Sequence, residues 1–311
     1  MIFTVRREHD GMTVLQLLKN VICLSGAMIK HIKFLDDGIV LNGERVTVRR
    51  IVREGDLLSV NTSDTERESE IAAYDLSLGI VYEDNDIVIP DKPAFMPTHP
   101  SHGHHDDTVA NALAFRYKSL GEPYVFRPVN RLDRNTSGLL IIAKNRIAAA
   151  RLTSAMQKRE MCKKYIAILD GVLEADCGVI DTYMRRTAES IIVREVCEEC
   201  AGADRAITEY RVICRSGTHT VVEAEPKTGR THQLRVHFAH LGAPIVGDDL
   251  YGTPSEDIDR HALHSHSLTI PHPTSGELLT VSAPLPPDMR RLLEKLFPDE
   301  DIDDEIRKAI N

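Results

Sequence analysis

The chain of 311 residues contains no tryptophan, and aromatic residues make up only 5% of it. It also lacks long apolar segments. No run approaches the roughly 18 apolar residues that a membrane helix needs, and residues 1–7 have no apolar region of the kind that marks a signal peptide. We therefore expect a cytoplasmic protein that has no membrane partner.

Cysteine is also scarce, and the six residues are spaced too irregularly for a disulfide framework. Cys197 and Cys200 have the spacing of half a zinc site, but no second Cys or His pair follows at a suitable distance. Free thiols are therefore favoured. Residues 99–107 are rich in histidine and aspartate, which predicts a surface loop more strongly than a metal site, although adventitious metal binding stays open.

The distribution of charge matters more than the net charge of −9. Residues 1–60 hold nine Lys and Arg against seven Asp and Glu, whereas residues 299–311 hold six acidic against two basic residues. Phosphates respond to a local field, because salt screens charges beyond roughly 10 Å. The acidic total therefore does not exclude a local surface that binds nucleic acid.

The first 60 residues predict a small α+β domain. Thr13 and Ser25 are suitable caps for two short helices. Turn dipeptides at 37–38 and 42–43 surround a short strand at 39–41, and another strand follows at 57–60.

The polar segment that follows predicts a linker over residues 61–74. A hairpin with strands at 80–84 and 87–90 then opens a second domain, which we expect to span residues 75–297. The remaining residues, 298–311, predict an acidic C-terminal tail that is exposed to solvent.

The most informative segment is the octet at residues 131–138, Arg-Leu-Asp-Arg-Asn-Thr-Ser-Gly, with the apolar run 139–143 directly after it. A short apolar run bounded by turn formers predicts a strand buried on both faces. That strand would hold Asp133 in place. From chemistry alone, a catalytic loop and an ordinary loop salt bridge are about equally favoured.

Two further segments carry polar groups on predicted elements. Asn145 can cap a helix that runs to about residue 159. Tyr165 lies on the strand predicted at 163–171, and a tyrosine at such a position more often packs in the core than takes part in catalysis. In the third segment, residues 226–237, Thr231 can cap a helix to about residue 240. Arg235 lies at the edge of its apolar stripe, where a partly buried guanidinium needs a carboxylate partner.

Together these segments closely resemble the RluA-type pseudouridine synthases, over residues 13–297. The resemblance implies an α+β catalytic domain built on a large, mainly antiparallel mixed sheet with flanking helices. The first 60 residues resemble an S-four-type RNA-binding domain. Three positions depart from the family pattern: Asp91 stands where Asn is usual, Phe95 where Gly is usual and Asn130 where His is usual.

The resemblance also assigns roles to residues. It implies that Asp133, Tyr165 and Arg235 are catalytic, with Arg235 paired to Asp133. We expect substrate contacts from Lys92, Asn130, Arg131 and Leu234. The RNA contacts expected from the N-terminal domain come from Lys30, Lys33, Arg45, Arg49, Arg50 and Arg53.

The implied reaction is the isomerisation of uridine in RNA, which needs no cofactor or metal. We expect a monomer that acts on ribosomal RNA rather than transfer RNA, with the target uridine unknown. Covalent attack by Asp133 and an elimination route both stay open. The alternatives are an inactive RNA-binding or ribosome-assembly protein on the same scaffold and, if the histidine-rich loop is a real site, a metal-dependent hydrolase.

Overall fold

The computed structural model describes residues 2–22, 24, 26–61 and 71–298. The N-terminal unit is a four-stranded antiparallel sheet in the order β1-β4-β2-β3 with two short helices. Its elements are β1 (Ile2–Thr4), a 3-10 turn (Arg7–His9), α1 (Val14–Gln16) continued by a π-helix (Leu17–Val21), α2 (Gly26–Ile32), β2 (Ile39–Leu41), β3 (Glu44–Arg45) and β4 (Leu57–Val60).

The small core of this unit follows from its helix caps and apolar periodicity. Thr13 caps α1 as predicted, since its hydroxyl accepts from the Gln16 amide at 3.2 Å. Leu17 and Leu18 are fully buried. The predicted cap at Ser25, the greater part of the predicted linker and the acidic tail lie outside the described residues.

The second unit contains the remaining elements. They are β5 (Gly79–Glu83), β6 (Ile87–Lys92), α3 (Val109–Leu120), β7 (Ser137–Leu139), β8 (Ile142–Ala143), α4 (Arg146–Gln157), β9 (Cys162–Asp170), β10 (Cys177–Arg186), β11 (Arg194–Cys197), β12 (Asp204–Arg215), β13 (His219–Pro226), α5 (Gln233–His240), β14 (Leu263–Pro271), β15 (Leu278–Ser282) and α6 (Pro287–Leu296).

The strands of this unit form one 11-stranded sheet with the path β11-β10-β12-β13-β9-β14-β7-β6-β5, and β15 and β8 pair with β14 and β6. The β14–β7 pairing is parallel, and the other pairings are antiparallel. The predicted α+β class with a mainly antiparallel mixed sheet is confirmed. Gly138 permits the parallel contact, because a Cβ there would meet the Ser265 carbonyl oxygen at 2.3 Å.

Two predicted elements differ in detail. The apolar run after the octet forms two short strands, β7 and β8, rather than one, although all five of its residues are fully buried. Helix α5 starts at Gln233 rather than after Thr231. His232 has a φ of +58°, which a right-handed helix cannot accommodate. Asn145 caps α4 as predicted, through bonds from two amides of the first turn.

Helix α4 joins the two units. Ile147 packs in the core of the N-terminal unit. Arg151 donates to the carbonyl of Ile22 at 3.3 Å and to that of Pro273 at 2.5 Å. One side chain therefore links the two units. In the described part of the chain, no helix has the length and apolar character needed to cross a bilayer.

Candidate active site

A cavity of about 400 Å³ opens where the loop before β7, strand β9 and the start of α5 meet. The structure brings six of the residues singled out in the sequence into its wall, although they come from three separate segments. They are Asn130, Arg131, Asp133, Tyr165, Leu234 and Arg235.

The loop that carries Asp133 is held by side chains from outside it. Five of the six residues 132–137, all except Asp133, are bound in this way, at distances between 2.7 and 3.2 Å. The contacts are Thr98 to the Leu132 carbonyl, Lys92 to the Arg134 carbonyl, Arg260 to the Asn135 carbonyl, His261 to the Thr136 hydroxyl and His264 to the Ser137 hydroxyl. This arrangement fixes the backbone and leaves the Asp133 carboxylate directed into the cavity.

Asp133 has two polar neighbours on one side of its carboxylate. Its Oδ2 lies 3.8 Å from Nε2 of His232 and 4.0 Å from Nη1 of Arg235. Its side chain is 23% exposed, so the remaining face of the carboxylate can be reached from the cavity.

The principal partner of Arg235 is Asp248, and the pairing with Asp133 expected from the sequence is present only as a longer contact of 4.0 Å. Nε and Nη2 of Arg235 lie 2.7 Å from the two oxygens of Asp248, whose side chain is fully buried. Burial alone would raise the pKa of Asp248, but the Arg235 guanidinium lowers it overall. Arg235 therefore keeps only Nη1 for Asp133, at the outer limit of an ion pair.

His232 is oriented by Tyr251. The Arg194 amide donates to the Tyr251 hydroxyl oxygen at 2.9 Å, so the hydroxyl proton is available for Nδ1 of His232 at 2.8 Å. Nε2 of His232 then carries the ring proton and points it at Asp133. Burial lowers the pKa of His232 despite the nearby Asp133 charge, so the ring is neutral at neutral pH.

Tyr165 lies on β9 with 8% of its surface exposed. Burial raises the pKa of its phenol to about 12, and the charge of Asp133 contributes to this rise. Its hydroxyl is therefore protonated at neutral pH.

Lys92, expected to contact substrate, is not part of the cavity wall. Its side chain is fully buried and its ammonium donates to three backbone carbonyls, those of Pro93, Met96 and Arg134, at 2.8 to 2.9 Å. Burial lowers the pKa of Lys92, although the charge of Asp133 acts in the opposite direction. Lys92 thus stabilises the Asp133 loop by binding its backbone at Arg134, outside the cavity.

Two of the three positions at which this chain departs from the family pattern have a structural explanation. Asn130 accepts a hydrogen bond from the Ile141 amide at 2.8 Å, so it ties the loop to the buried strands. Phe95 adopts a φ of +66°, the left-handed conformation that favours glycine, and its side chain remains 45% exposed. The backbone at residue 95 therefore keeps a glycine-like shape.

The six basic residues predicted to contact RNA are all exposed in the N-terminal unit. Two form ion pairs with described residues: Arg45 lies 2.9 Å from Asp36, and Arg53 lies 3.5 Å from Asp10. Pairs this exposed are weak and can exchange partners.

The metal alternatives gain no support from the geometry. Over the described residues, no three His, Cys, Asp or Glu side chains are grouped to hold an ion. His104 of the histidine-rich loop instead binds Asp107 at 2.6 Å. Cys197 and Cys200 are free thiols.

Residues 86–240 match the sequence model of the RNA pseudouridylate synthase family. This range contains every residue that lines the cavity, apart from Leu263. The chain belongs to this family. It is 35% identical over 295 residues to YhcT of Bacillus subtilis, described as an uncharacterized RNA pseudouridine synthase, covering 94% of this chain and 96% of that one.

Two other RNA pseudouridylate synthase relatives support the assignment. The ribosomal large subunit pseudouridine synthase D of Vibrio cholerae is 38% identical over 270 residues, covering 82% of each chain. The solved structure of human RNA pseudouridylate synthase domain containing 1 is 28% identical, with a TM-score of 0.58, covering 75% of this chain and 94% of that one. The enzyme is thus an isomerase that converts uridine to pseudouridine in RNA.

Sequence reasoning missed several residues of this site, including His232 beside Asp133. Asp248 and Tyr251 follow the third segment in the chain, and nothing in their spacing reveals that they orient Arg235 and His232. Lys163 also lines the cavity. The sequence could have indicated this position, because Lys163 lies two residues before Tyr165 and so projects from the same face of the strand.

Proposed function

We propose that this pseudouridine synthase modifies large-subunit ribosomal RNA. The observation that carries the proposal is the 38% identity, over 82% of both chains, to a relative named for that substrate. Mapping pseudouridine in ribosomal and transfer RNA from cells with and without the protein tests it. A site lost only from transfer RNA would contradict the proposal.

In this proposal Asp133 is the catalytic group. The reaction breaks the bond between C1′ and N1 of the target uridine, turns the uracil and forms a bond between C1′ and C5. The proton on C5 leaves and N1 gains one, so atoms and charge balance within the nucleotide. Asp133 acts on C1′ either as a nucleophile or by stabilising its developing positive charge.

The geometry supports different roles for the two Asp133 oxygens. Oδ2 faces the Nε2 proton of His232 and Nη1 of Arg235. These donors orient the carboxylate from one side, and we assign Oδ1 to the sugar. Arg235 is a catalytic residue in this scheme only through its Nη1, because Asp248 occupies the rest of the guanidinium.

Tyr165 is proposed to move the C5 proton. Because its phenol is protonated at neutral pH, it meets the substrate as a donor and accepts the C5 proton only as its own is passed on. Leu234, Asn130 and Arg131, which also line the cavity, are proposed to contact the flipped nucleotide. Extruding a base costs a few kcal/mol, which these contacts help to offset.

We further propose that residues 1–60 form an S-four-type RNA-binding domain, joined by the linker 61–74 to the catalytic domain 75–297. The exposed basic residues named above support it.

The alternative of an inactive RNA-binding protein is less favoured, because the carboxylate, phenol and guanidinium of the site are intact and meet in one cavity. We propose a cytoplasmic monomer, and light scattering of the purified protein tests the oligomeric state.

A further inference from the structure

Lys163 is a cation of the cavity wall that forms no ion pair with the described residues. Four basic side chains line the cavity: Arg131, Lys163, Arg230 and Arg235. Arg235 is bound by Asp248 at 2.7 Å, and Arg230 lies 3.2 Å from Asp204. Arg131 is exposed, so water can solvate its guanidinium.

Lys163 differs from the other three because it is partly buried and has no carboxylate within 4.0 Å among the described residues. Burial lowers its pKa because the ammonium loses water, although the charges of Cys162 and Glu225 act in the opposite direction. A partly buried charge without a partner is costly, and proteins normally supply one. Glu225 acts on the ammonium only from beyond ion-pair distance, so an anion that binds it directly would come from the substrate.

The strand places Lys163 beside the reacting nucleotide. Lys163 and Tyr165 are two residues apart on β9, so they project from the same face, about 6.6 Å apart along the strand. Both line the cavity. Lys164, between them, projects from the other face and lies 3.1 Å from Glu223.

We propose that Lys163 forms a phosphate-binding subsite, which holds a backbone phosphate next to the target uridine while Asp133 acts on its sugar. An ammonium could also donate to a uracil carbonyl, but a neutral oxygen does not balance a desolvated cation. The phosphates are the anions that RNA offers. This subsite rests on the proposed RNA substrate of the cavity and assigns a role to a residue that the catalytic scheme does not use.

The test compares Lys163→Gln with Lys164→Gln, which removes the same charge from the opposite face of the same strand. Affinity for transcribed large-subunit ribosomal RNA is measured by filter binding at several salt concentrations. Losing one phosphate contact reduces the salt slope by about 0.7 to 0.9. Between 50 and 200 mM salt, wild type should thus lose about threefold more affinity than Lys163→Gln. Lys164→Gln should match wild type, and Lys163→Arg should retain the wild-type slope.

Circular dichroism and thermal unfolding of each variant show that the fold is intact. Equal slopes for wild type and Lys163→Gln would overturn the subsite, as would a reduced slope shared by both Gln variants. A reduced turnover of Lys163→Gln with an unchanged slope would assign the lysine to the uracil and also overturn it. Pseudouridine formation by wild type on the same RNA is scored separately. If that RNA is bound with the predicted slopes but not modified, the proposed target fails while the subsite stands.

Discussion

Arg235 and Asp248 form a buried ion pair in which two guanidinium nitrogens bind two different carboxylate oxygens, each at 2.7 Å. This pair explains how an arginine with only 5% of its side chain exposed can stand beside the active-site carboxylate. It also separates two functions of one residue, since Nε and Nη2 stabilise the fold and Nη1 faces Asp133.

Removing Arg235 should therefore affect both stability and activity. Arg235→Met leaves the buried Asp248 carboxylate without its cation, with only the Leu250 and Tyr251 amides as donors, and we expect a loss of about 3 kcal/mol in the free energy of unfolding. The double variant Arg235→Met/Asp248→Leu should recover only part of that loss, because it removes the buried unpaired charge but also the acceptor of the Leu250 and Tyr251 amides. It should remain inactive. Urea denaturation and turnover measurements check both variants, and an active double variant would contradict the role of Nη1.

Asp133→Asn should fold normally and form no pseudouridine, because the amide keeps the shape of the side chain and loses its charge. The measurement is tritium release from RNA labelled at C5 of uridine. Asp249→Asn is the matched control: Asp249 lies 3.5 Å from Arg235 with its side chain 64% exposed. The control should retain activity, and turnover by Asp133→Asn would refute the assignment.

Tyr165→Phe should lower the single-turnover rate by about 10²- to 10⁴-fold, the usual contribution of a positioned proton-transfer group. RNA affinity should change little, because the ring and its packing are kept. Tyr74→Phe, at an exposed residue outside the cavity wall, provides the comparison. A Tyr165→Phe variant with a normal rate would show that the phenol hydroxyl takes no part in proton transfer.

Stability should decrease as the pH falls below about 6.5. Burial lowers the pKa of His261 and of His264 to about 3, so the unfolded chain binds protons between pH 6.5 and 3 that the folded protein does not. Each residue should remove up to about 1.4 kcal/mol per pH unit within this window. Denaturation at pH 7.5, 6 and 5 measures the slope. His264→Gln should reduce it, whereas His102→Gln, at an exposed position, should not.

The N-terminal cations should contribute to RNA affinity through salt-dependent contacts. In the triple variant Lys30→Gln/Arg49→Gln/Arg50→Gln, the salt slope of binding should fall by about two to three. Single-turnover chemistry at saturating enzyme should persist, because the cavity is unchanged. If the triple variant has the same salt slope as wild type, the first 60 residues do not touch RNA. That result would refute the RNA-binding assignment of this domain.

The sequence predicted the elements of the site better than its contacts. The octet, the strand with Tyr165 and the helix with Arg235 were recognisable because each has its own local pattern of apolar and capping residues. The partner of Arg235 was not, since Asp248 follows it by 13 residues across a helix end and a turn. Lys92 was also misassigned. A Lys-Pro pair in a sequence does not reveal that the ammonium turns back to bind carbonyls, including one 42 residues away.

The anchoring of the Asp133 loop has a consequence for when the enzyme becomes active during synthesis. Three of its five anchors come from residues 260–264, which follow their loop partners by 125 to 127 positions in the chain. The loop cannot be fully immobilised until this segment has left the ribosome and β14 has paired with β7. Nascent chains that end before residue 260 hold every residue proposed for the chemistry, yet they lack the contacts that fix Asp133. Activity therefore depends on nearly complete synthesis of the catalytic domain.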